Sequence, residues 1–318
     1  MRVLCSIPTK GRYDTTLALA IQAVANQTRP VDKLVIFDDN DEPKDLREVQ
    51  HYRYLFHMLD CKGIAWEFVF AHKKGQHFSH QMANTMGYDW VWRVDDDCIP
   101  EPNVLENLCG NIAADVGAIA GSILTPPFSS LPPLSGKIDD INDQSIQWDY
   151  IKTRREVDHL HCSFLYRAGV YDYNLGLSKV AHREETLFTY GLKQKGYKNL
   201  LIPNTVTWHL KNAQGGIRTE VAEMFMHDEY IFSNFMQYKD NTIVVLDSGM
   251  GDHLVFRKMM HEIKNPVIFT CHPDIVPGRS IEEAYRLFGS IDQWNIYSKM
   301  DQWKWKEPLI DAFRKLYL

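Results

Sequence analysis

The chain has no long apolar run: none of its stretches approaches the ~18–20 residues a helix needs to cross a bilayer, so stable membrane insertion is not expected. It also lacks a charged leader with an apolar stretch behind it. Met1-Arg2-Val3-Leu4-Cys5 passes directly into a strand pattern, which predicts a cytoplasmic protein. Cysteine is sparse and unpaired in spacing. The six residues Cys5, Cys61, Cys98, Cys109, Cys162 and Cys271 contain no CxxC, which argues against a zinc site and a dense disulfide framework and fits a reducing compartment. Positive charge is also short, at 35 Lys and Arg against 41 Asp and Glu, a net charge of −6. That deficit is uneven: residues 1–150 hold 13 basic against 21 acidic side chains, residues 151–220 hold 11 against 6, and residues 221–318 hold 11 against 14. A basic middle in an acidic chain suits an anionic partner; a solvated face of local ion pairs is the alternative.

What the chain does have is Asp95-Asp96-Asp97, ending the apolar run Trp90-Val91-Trp92-Arg93-Val94 and followed by Cys98-Ile99-Pro100. The run reads as a strand that Pro100 stops. Three carboxylates at a strand end repel one another unless a cation or a donor-rich ligand neutralises them, and hard oxygen ligands suit Mg²⁺ or Mn²⁺. Taken alone, the triplet reads equally well as a solvated acidic turn.

The surrounding pattern alternates strand and helix. Strands are expected at Arg2–Ile7, Lys33–Phe37, Trp66–Ala71, Trp90–Val94 and Val116–Leu124, and helices at Thr15–Asn26 (Asp14 as N-cap), Glu42–Leu59, His77–Gly87 and Asn103–Ala114. Single helices between strands imply right-handed crossovers and a mainly parallel, Rossmann-like sheet of the α/β class. Such sheets bind ligands at the carboxyl ends of their strands, where Thr9–Arg12, Asp38–Asp41, His72–Gly75 and Asp95–Asp97 all fall. Pro126–Asp143 reads as a long loop. Beyond it come strands at Gln147–Ile151, His161–Arg167, Leu200–Ile202 and Val206–His209, a helix at Glu184–Gly196 and a long helix at Thr219–Tyr238. A second unit is expected over 239–318, after a first domain over 1–238. It starts with the strand Ile243–Asp247, a glycine turn at Ser248–Asp252 and a helix at His253–Ile263; a strand at Pro266–Thr270 and helices at Ser280–Phe288 and Glu307–Tyr317 follow.

With these residues placed, about the first 235 positions resemble a family 2 glycosyltransferase of the GT-A fold. The resemblance rests on several segments in order: Ile7-Pro8-Thr9-Lys10-Gly11-Arg12, Ile36-Phe37-Asp38-Asp39-Asn40, Asn84 with Gly87, and Asp95-Asp96-Asp97 as the DXD motif. It continues through His161–Arg167, Glu184-Glu185-Thr186 with Lys195-Gly196-Tyr197, and Ile202-Pro203 with Trp208-His209. It implies an enzyme that moves a sugar from a nucleotide-sugar, a UDP-sugar foremost, with Mn²⁺ or Mg²⁺ as cofactor and with inversion. A departing diphosphate needs its developing charge stabilised, which a divalent ion supplies.

The resemblance assigns Asp97 as direct metal ligand, Asp95 to the metal or the ribose beside Asp96, and His209 as a further ligand. It places Pro8, Thr9, Arg12, Asp38, Asp39, Lys74 and Asn84 around the nucleotide, although Asp38 also reads as a turn-forming acid and Lys73-Lys74 as a solvated loop. Glu185 occupies the position of the base, with Glu184 its neighbour, where the family usually carries Glu-Asp; the longer second side chain leaves the role open between them. A helix N-terminus would favour two acids there in any case. Ala83 stands where the family often has Arg. A QxxRW segment is absent, which implies transfer of single sugars rather than polymer extrusion. Asn212–Arg218 is placed to fold over the nucleotide. The segment Val245–His253 resembles the first strand and turn of a heptosyltransferase-like GT-B Rossmann half, too short for a second enzyme and suited to packing, oligomerisation or acceptor docking.

Two acceptor classes stay open: a saccharide of glycan or lipopolysaccharide type, and a hydroxymethylated base in DNA, as in bacteriophage enzymes working in the host cytoplasm. For DNA the candidate contacts are Lys152, Arg154, Arg155, Lys179, Arg183, Lys193, Lys195 and Lys198. An inactive sugar-nucleotide-binding or scaffold protein is the reading from another class; the presence of Asp95, Asp97, Glu185 and His209 argues against it. A nucleotidyltransferase would need a glycine-rich basic loop after the first strand, which Thr9-Lys10-Gly11-Arg12 resembles only faintly.

Overall fold

The computed structural model describes residues 1–71, 74–125, 147, 150–210, 216, 224, 227, 228, 231, 232 and 235, and the backbone of 242–246, 266–270 and 294–297. The chain divides into two units, one of Met1–Leu175 with Lys179–Thr219 and one of Gly176–Ser178 with Glu220–Leu318.

The first unit is a nine-stranded sheet flanked by helices. In chain order its elements are β1 (Val3–Thr9), α1 (Leu17–Ala25), β2 (Lys33–Asp38), a short 3-10 turn at Leu46–Glu48, α2 (Gln50–Cys61), β3 (Ala65–Phe70) and α3 (Gln76–Asn84). Then come β4 (Trp90–Arg93), β5 (Cys98–Pro100), α4 (Val104–Gly110), β6 (Val116–Leu124), β7 (Arg155–Val157), β8 (Phe164–Arg167), α5 (Glu184–Gln194) and β9 (Lys198–His209). The strand order is β3-β2-β1-β4-β8-β6-β9-β5, with β7 pairing β9. β1 to β4, β6 and β9 share one direction and β5, β7 and β8 oppose it, so the sheet is mainly parallel as expected.

Strand alternation sorts the core into two layers. Val3, Cys5, Ile7, Leu34, Ile36, Trp90 and Trp92 face α1, α2 and α4, meeting Leu17, Ile21, Phe56 and Leu105. The intervening Leu4, Val35, Phe37 and Val91 face the other side, with Phe164, Tyr166, Phe188 and Leu192. Side chains of successive strand residues point to opposite faces, and each large one fully buried contributes about 1.5–3 kcal/mol. By this alternation Arg93 belongs to the second layer, in line with Val91 and opposite to Trp92.

Several boundaries differ from the expected ones for local reasons. α1 starts at Leu17 after Thr16, so Asp14 does not cap it, and Thr16 supplies no side-chain cap either. The expected helix 42–59 is split at Val49, whose extended backbone (ψ 123°) separates the 3-10 turn from α2. Leu200–Ile202 and Val206–His209 join as β9, with a break in register opposite Gly121 where Asn204 has φ +56°. Gly121 is required there: a Cβ would lie 2.1 Å from the Thr205 carbonyl oxygen. β5 and β7 carry no alternation signal because each is three residues long and is set by pairing to β9. Gln147 is in a turn rather than a strand. The expected loop 126–143 lies outside the described residues.

In the second unit Met224, His227, Asp228, Ile231, Phe232 and Phe235 are helical, within the helix expected at 219–238. Asp228 accepts hydrogen bonds from the Ser178 backbone N–H (2.6 Å) and hydroxyl (2.9 Å). β10 (Thr242–Leu246), β11 (Pro266–Thr270) and β12 (Trp294–Tyr297) form a parallel sheet in the order β11-β10-β12. The glycine turn at 248–252 and the three helices expected beyond it lie outside the described residues. Among the described residues no helix is long and apolar enough to cross a membrane.

Candidate active site

The carboxyl ends of β1, β2 and β4 lie side by side and bring together most of the expected residues. Thr9 and Asp38 are register partners, and the Asp39 N–H donates to the Thr9 carbonyl (2.9 Å). Asp38 Oδ1 accepts from the Asn40 backbone N–H (3.0 Å) and side chain (2.6 Å), which makes it a turn-forming acid in this structure. Asp39 Oδ2 accepts from the Gly75 N–H (2.9 Å), tying the start of α3 to the end of β2. Gly75 has φ +105°, and a Cβ on it would lie 2.6 Å from the Lys179 carbonyl oxygen, so no other residue fits. Pro8 is buried within β1 beside Phe37.

The three aspartates are held by two different arginines. Asp96 is buried and receives Thr9 Oγ1 (2.7 Å), Arg12 Nη1 (2.5 Å) and the Lys10 N–H (3.4 Å); burial nevertheless pushes its carboxyl up to about 6. Arg12 Nη1 also reaches Asp97 Oδ2 (3.0 Å). Thr9 and Arg12 thus organise the acidic turn itself. The Gly216 N–H donates to the Lys10 carbonyl (2.7 Å), which brings the chain beyond β9 against this turn; Gly216 has φ +79°, and an added Cβ would press on Arg12 Nη2 at 2.9 Å. On its other oxygen, Asp97 Oδ1 lies 3.3 Å from His209 Nε2, both residues being buried. β5 and β9 create this contact by pairing Cys98 directly opposite His209.

Asp95 turns toward the second layer. Arg93 Nη2 donates to its Oδ1 (3.0 Å), Arg93 Nη1 donates to Glu184 Oε1 (2.6 Å), and Arg93 Nη2 lies 3.5 Å from Glu185 Oε1. Arg93 is fully buried, with its guanidinium 5.1 Å from the centre of the Phe164 ring. Burial alone would favour its discharge, but Glu184, Asp95 and Glu185 outweigh it and raise its pKa further. Burial pushes the Glu184 carboxyl up to about 8 against the pull of Arg93. Gln76 Nε2, at the start of α3, donates to Glu184 Oε1 (3.0 Å). Glu185 differs from its neighbour: its side chain is 17% exposed, and its Oε1 accepts the Cys162 N–H (3.3 Å). α5 presents both glutamates from its first turn after Ala181 and Arg183, at φ +53° and +67°, a left-handed backbone that non-glycine residues adopt at a cost of about 1–3 kcal/mol each.

Five carboxylates (Asp95, Asp96, Asp97, Glu184, Glu185) therefore share two guanidiniums. Arg93 and Gln76 were not anticipated from the sequence. The signal for Arg93 was present, a cation inside an otherwise apolar strand; Gln76 carries none.

Two expected residues lie elsewhere or face otherwise. Asn84 does not join the cluster: at the far end of α3 it donates to the Tyr171 carbonyl (2.9 Å) and accepts the Gly169 N–H (2.8 Å), next to the amino ends of the parallel strands. Lys74 places its ammonium 5.1 Å from the centre of the Phe78 ring. Lys73 lies outside the described residues. Of the basic candidates, Lys193 pairs with Asp158 and Lys198 with Asp115 (2.7 Å), and Arg183 is buried, while Lys152, Arg154 and Lys195 are exposed.

The fold resembles solved glycosyltransferase structures at low sequence identity. TarS 1–349 from S. aureus in complex with UDP-GlcNAc aligns with a TM-score of 0.54 at 12% identity, over 98% of this chain and 79% of that one. The complex of the same protein with UDP gives 0.52 at 14%, over 74% of this chain and 65% of that one. GalNAc-T7 with UDP, GalNAc and Mn²⁺ gives 0.53 at 13%, over 82% and 54%. The chain thus spans less than two thirds of the length of two of these three. No curated protein matches the sequence. The profile of glycosyl transferase family 2 matches residues 5–169, from β1 through the end of β8, just over half of the 318 residues and including the whole acidic turn. On that match, the chain belongs to glycosyl transferase family 2.

Proposed function

We propose that the protein is a metal-dependent, inverting glycosyltransferase that moves one sugar from a UDP-sugar to a hydroxyl of a saccharide acceptor. The observation that carries the reading is the cluster of five carboxylates on two guanidiniums at the carboxyl end of β4. The excess negative charge calls for a divalent cation, and Asp97 and His209 fit one, a carboxylate and an imidazole with Asp97 Oδ1 and His209 Nε2 3.3 Å apart, while Asp95 is turned away onto Arg93. A bound Mn²⁺ or Mg²⁺ would stabilise the charge that develops on the departing diphosphate. UDP, UDP-GlcNAc and Mn²⁺ in the structural neighbours support this choice of donor and ion.

The chain's own residues then divide the work. Asp38, Asp39 and the turn Thr9–Arg12 border the nucleotide, with Thr9 and Arg12 orienting Asp96 and Asp97 and so acting on the ligand set rather than on the base. Glu185, the more exposed glutamate, takes the acceptor's hydroxyl proton. The acceptor oxygen bonds to the anomeric carbon as that carbon's bond to the diphosphate oxygen breaks, and the nucleoside diphosphate carries away the electron pair. Glu184 is buried and engaged by Arg93 and Gln76, so it positions Arg93, which in turn holds Asp95 and lies beside Glu185. A saccharide acceptor is preferred to DNA because, among the described basic candidates, Lys193 and Lys198 are locally paired and Arg183 is buried, which leaves Lys152, Arg154 and Lys195 as the exposed ones for tracking phosphates.

The test is a thermal-shift screen of UDP-, GDP-, CMP- and dTDP-sugars with and without Mn²⁺, followed by mass spectrometry of saccharide and hydroxymethyl-DNA acceptors. A Mn²⁺-dependent shift with a UDP-sugar and a mass gain of one sugar on the saccharide are expected. Metal-independent binding, or transfer to DNA alone, would overturn the metal role or the acceptor respectively.

A further inference from the structure

Among the described residues, three of the four non-glycine positions with a left-handed backbone border Glu185. Ala181 and Arg183 lie just before it, and Cys162, at φ +52°, meets it from the turn ahead of β8. A side chain makes that conformation costly, so it persists only where neighbours over-determine it. At Cys162 it also sets how the backbone N–H is turned: that N–H donates to Glu185 Oε1 at 3.3 Å. The Cys162 sulfur and one carboxylate oxygen each from Glu185 and Asp95 lie within 4.8 Å of one another, so the turn rests directly against the glutamate assigned as base.

The residues of this turn are pinned one by one. Leu160 donates its N–H to Thr189 Oγ1 (3.0 Å), and the same hydroxyl donates to the Glu185 carbonyl (2.7 Å), which ties the turn to α5. His161 is gripped at both backbone groups by one side chain: its N–H donates to Gln147 Oε1 (2.8 Å), and its carbonyl accepts from Gln147 Nε2 (2.9 Å). Ser163 Oγ accepts from Trp92 Nε1 (3.2 Å), and Phe164 then pairs with Arg93 at the start of β8. Gln147 is itself anchored, since its own carbonyl accepts the Ile123 N–H of β6 (2.6 Å). A primary amide presents a donor and an acceptor side by side, the complement of one residue's C=O and N–H, so Gln147 acts here as a neighbouring strand would. Both of its bonds to His161 are buried, and their loss would leave two backbone groups unpaired away from solvent.

We propose that Gln147 is a positioning residue for sugar transfer: with Thr189 it holds residues 160–163 in the left-handed turn that aims the Cys162 N–H at Glu185, and so fixes the direction of that carboxylate. The inference rests on Glu185 being the base, as proposed above. The Cys162 N–H and Arg93 Nη2 both meet Oε1, which leaves Oε2 to take the acceptor's hydroxyl proton. A base held at one oxygen is oriented before the acceptor arrives.

The test uses the full chain with Gln147→Met, which keeps the length of the side chain and removes both bonds to His161. With cysteine labelled isotopically at nitrogen, the Cys162 amide, identified by its loss in Cys162→Ser, should exchange with solvent at least about 10-fold faster in Gln147→Met. The kcat should fall by about 10-fold or more, part of the 10²–10⁴-fold that a general base supplies, with the donor Kd changed by less than about 2-fold. In a Glu185→Gln background the same change should lower kcat by less than about 3-fold, because the group it positions is gone; a merely structural role would lower kcat equally in both backgrounds. Equal losses in the two backgrounds, or unchanged exchange at Cys162, would overturn the inference. Full turnover by Glu185→Gln would remove Glu185 as base and the inference with it, while a slow Glu185→Gln beside an unaffected Gln147→Met would overturn the inference alone. Should Gln147→Met fail to fold, Thr189→Val, which keeps the shape of threonine and cuts the tie to Leu160, decides by the same comparison.

Discussion

Replacing Arg93 with methionine tests the central arrangement most directly. The guanidinium is fully buried, bonds Glu184 at 2.6 Å and Asp95 at 3.0 Å, and lies 3.5 Å from Glu185. At about pH 9, above the value of about 8 to which burial raises Glu184, that carboxyl is ionised, and methionine fills similar volume but leaves the buried carboxylate without its cation. Removing one partner of a buried ion pair costs about 3–5 kcal/mol, because the other charge is stranded, against a total stability of about 5–15 kcal/mol. Adding Glu184→Gln removes the stranded charge while keeping an oxygen for Gln76. The double variant should therefore recover much of the loss, with a coupling energy of at least about 2 kcal/mol. Equilibrium urea unfolding followed by tryptophan fluorescence measures this, since Trp90 and Trp92 are buried in the same strand. Transfer activity should stay low in both variants, because Asp95 and Glu185 lose the group that holds them. A cost for Arg93→Met below about 1 kcal/mol, or single-variant costs that simply add, would refute the argument that Arg93 and Glu184 act as a pair.

The remaining predictions concern the reaction, the turn and pH. Glu185→Gln should keep donor binding and lower kcat by about 10²–10⁴-fold, as loss of a general base does; a comparable loss in Glu184→Gln with Glu185→Gln active would move the base to Glu184. Asp97→Ala should abolish the Mn²⁺-dependent thermal shift with UDP-sugar while circular dichroism is unchanged, and full turnover in EDTA would remove the ion from the mechanism. Gly75→Ala should cost at least about 1–3 kcal/mol, because φ +105° and the 2.6 Å approach to the Lys179 carbonyl admit no Cβ; a melting temperature equal to wild type would contradict this. The Glu184 carboxyl is raised from 4.5 to about 8, so the native metal-free protein holds a proton there that the unfolded chain releases. Its stabilising contribution is full below pH 4.5 and lost as pH rises through 8. His161, lowered to about 3 by burial, acts oppositely below pH 6.5, so the informative quantity is the difference between wild type and Glu184→Gln. That difference should shift against the wild type between pH 5 and 8, and parallel curves would disprove the raised value.

Much of the first unit was legible in the sequence because its signals are local. Alternating β-branched and aromatic residues give β1, β2 and β4, and single helices between them dictate parallel neighbours. The carboxyl ends of those strands must then share a rim, which brings Thr9, Asp39 and Asp95–Asp97 together. Contacts made across long sequence distances were not legible. Arg93 meets Glu184 over 91 positions and Glu184 meets Gln76 over 108, and no window of sequence records such pairs. Asn84 shows the limit of motif reasoning: the residue matches, but the length of α3 carries it to the opposite rim.

The sequence by itself determined the class of sheet, the rim and the acidic turn, because hydrophobic period and turn chemistry act within a few residues. Which of two adjacent glutamates is buried and which reaches solvent was decided only in three dimensions. That outcome depends on the angle at which α5 enters after its left-handed residues, and on Arg93 lying on the same face of β4. The grouping of Asp97, Cys98 and His209 was likewise decided by pairing of β5 with β9, since spacing along the chain carries no information about which strands become neighbours.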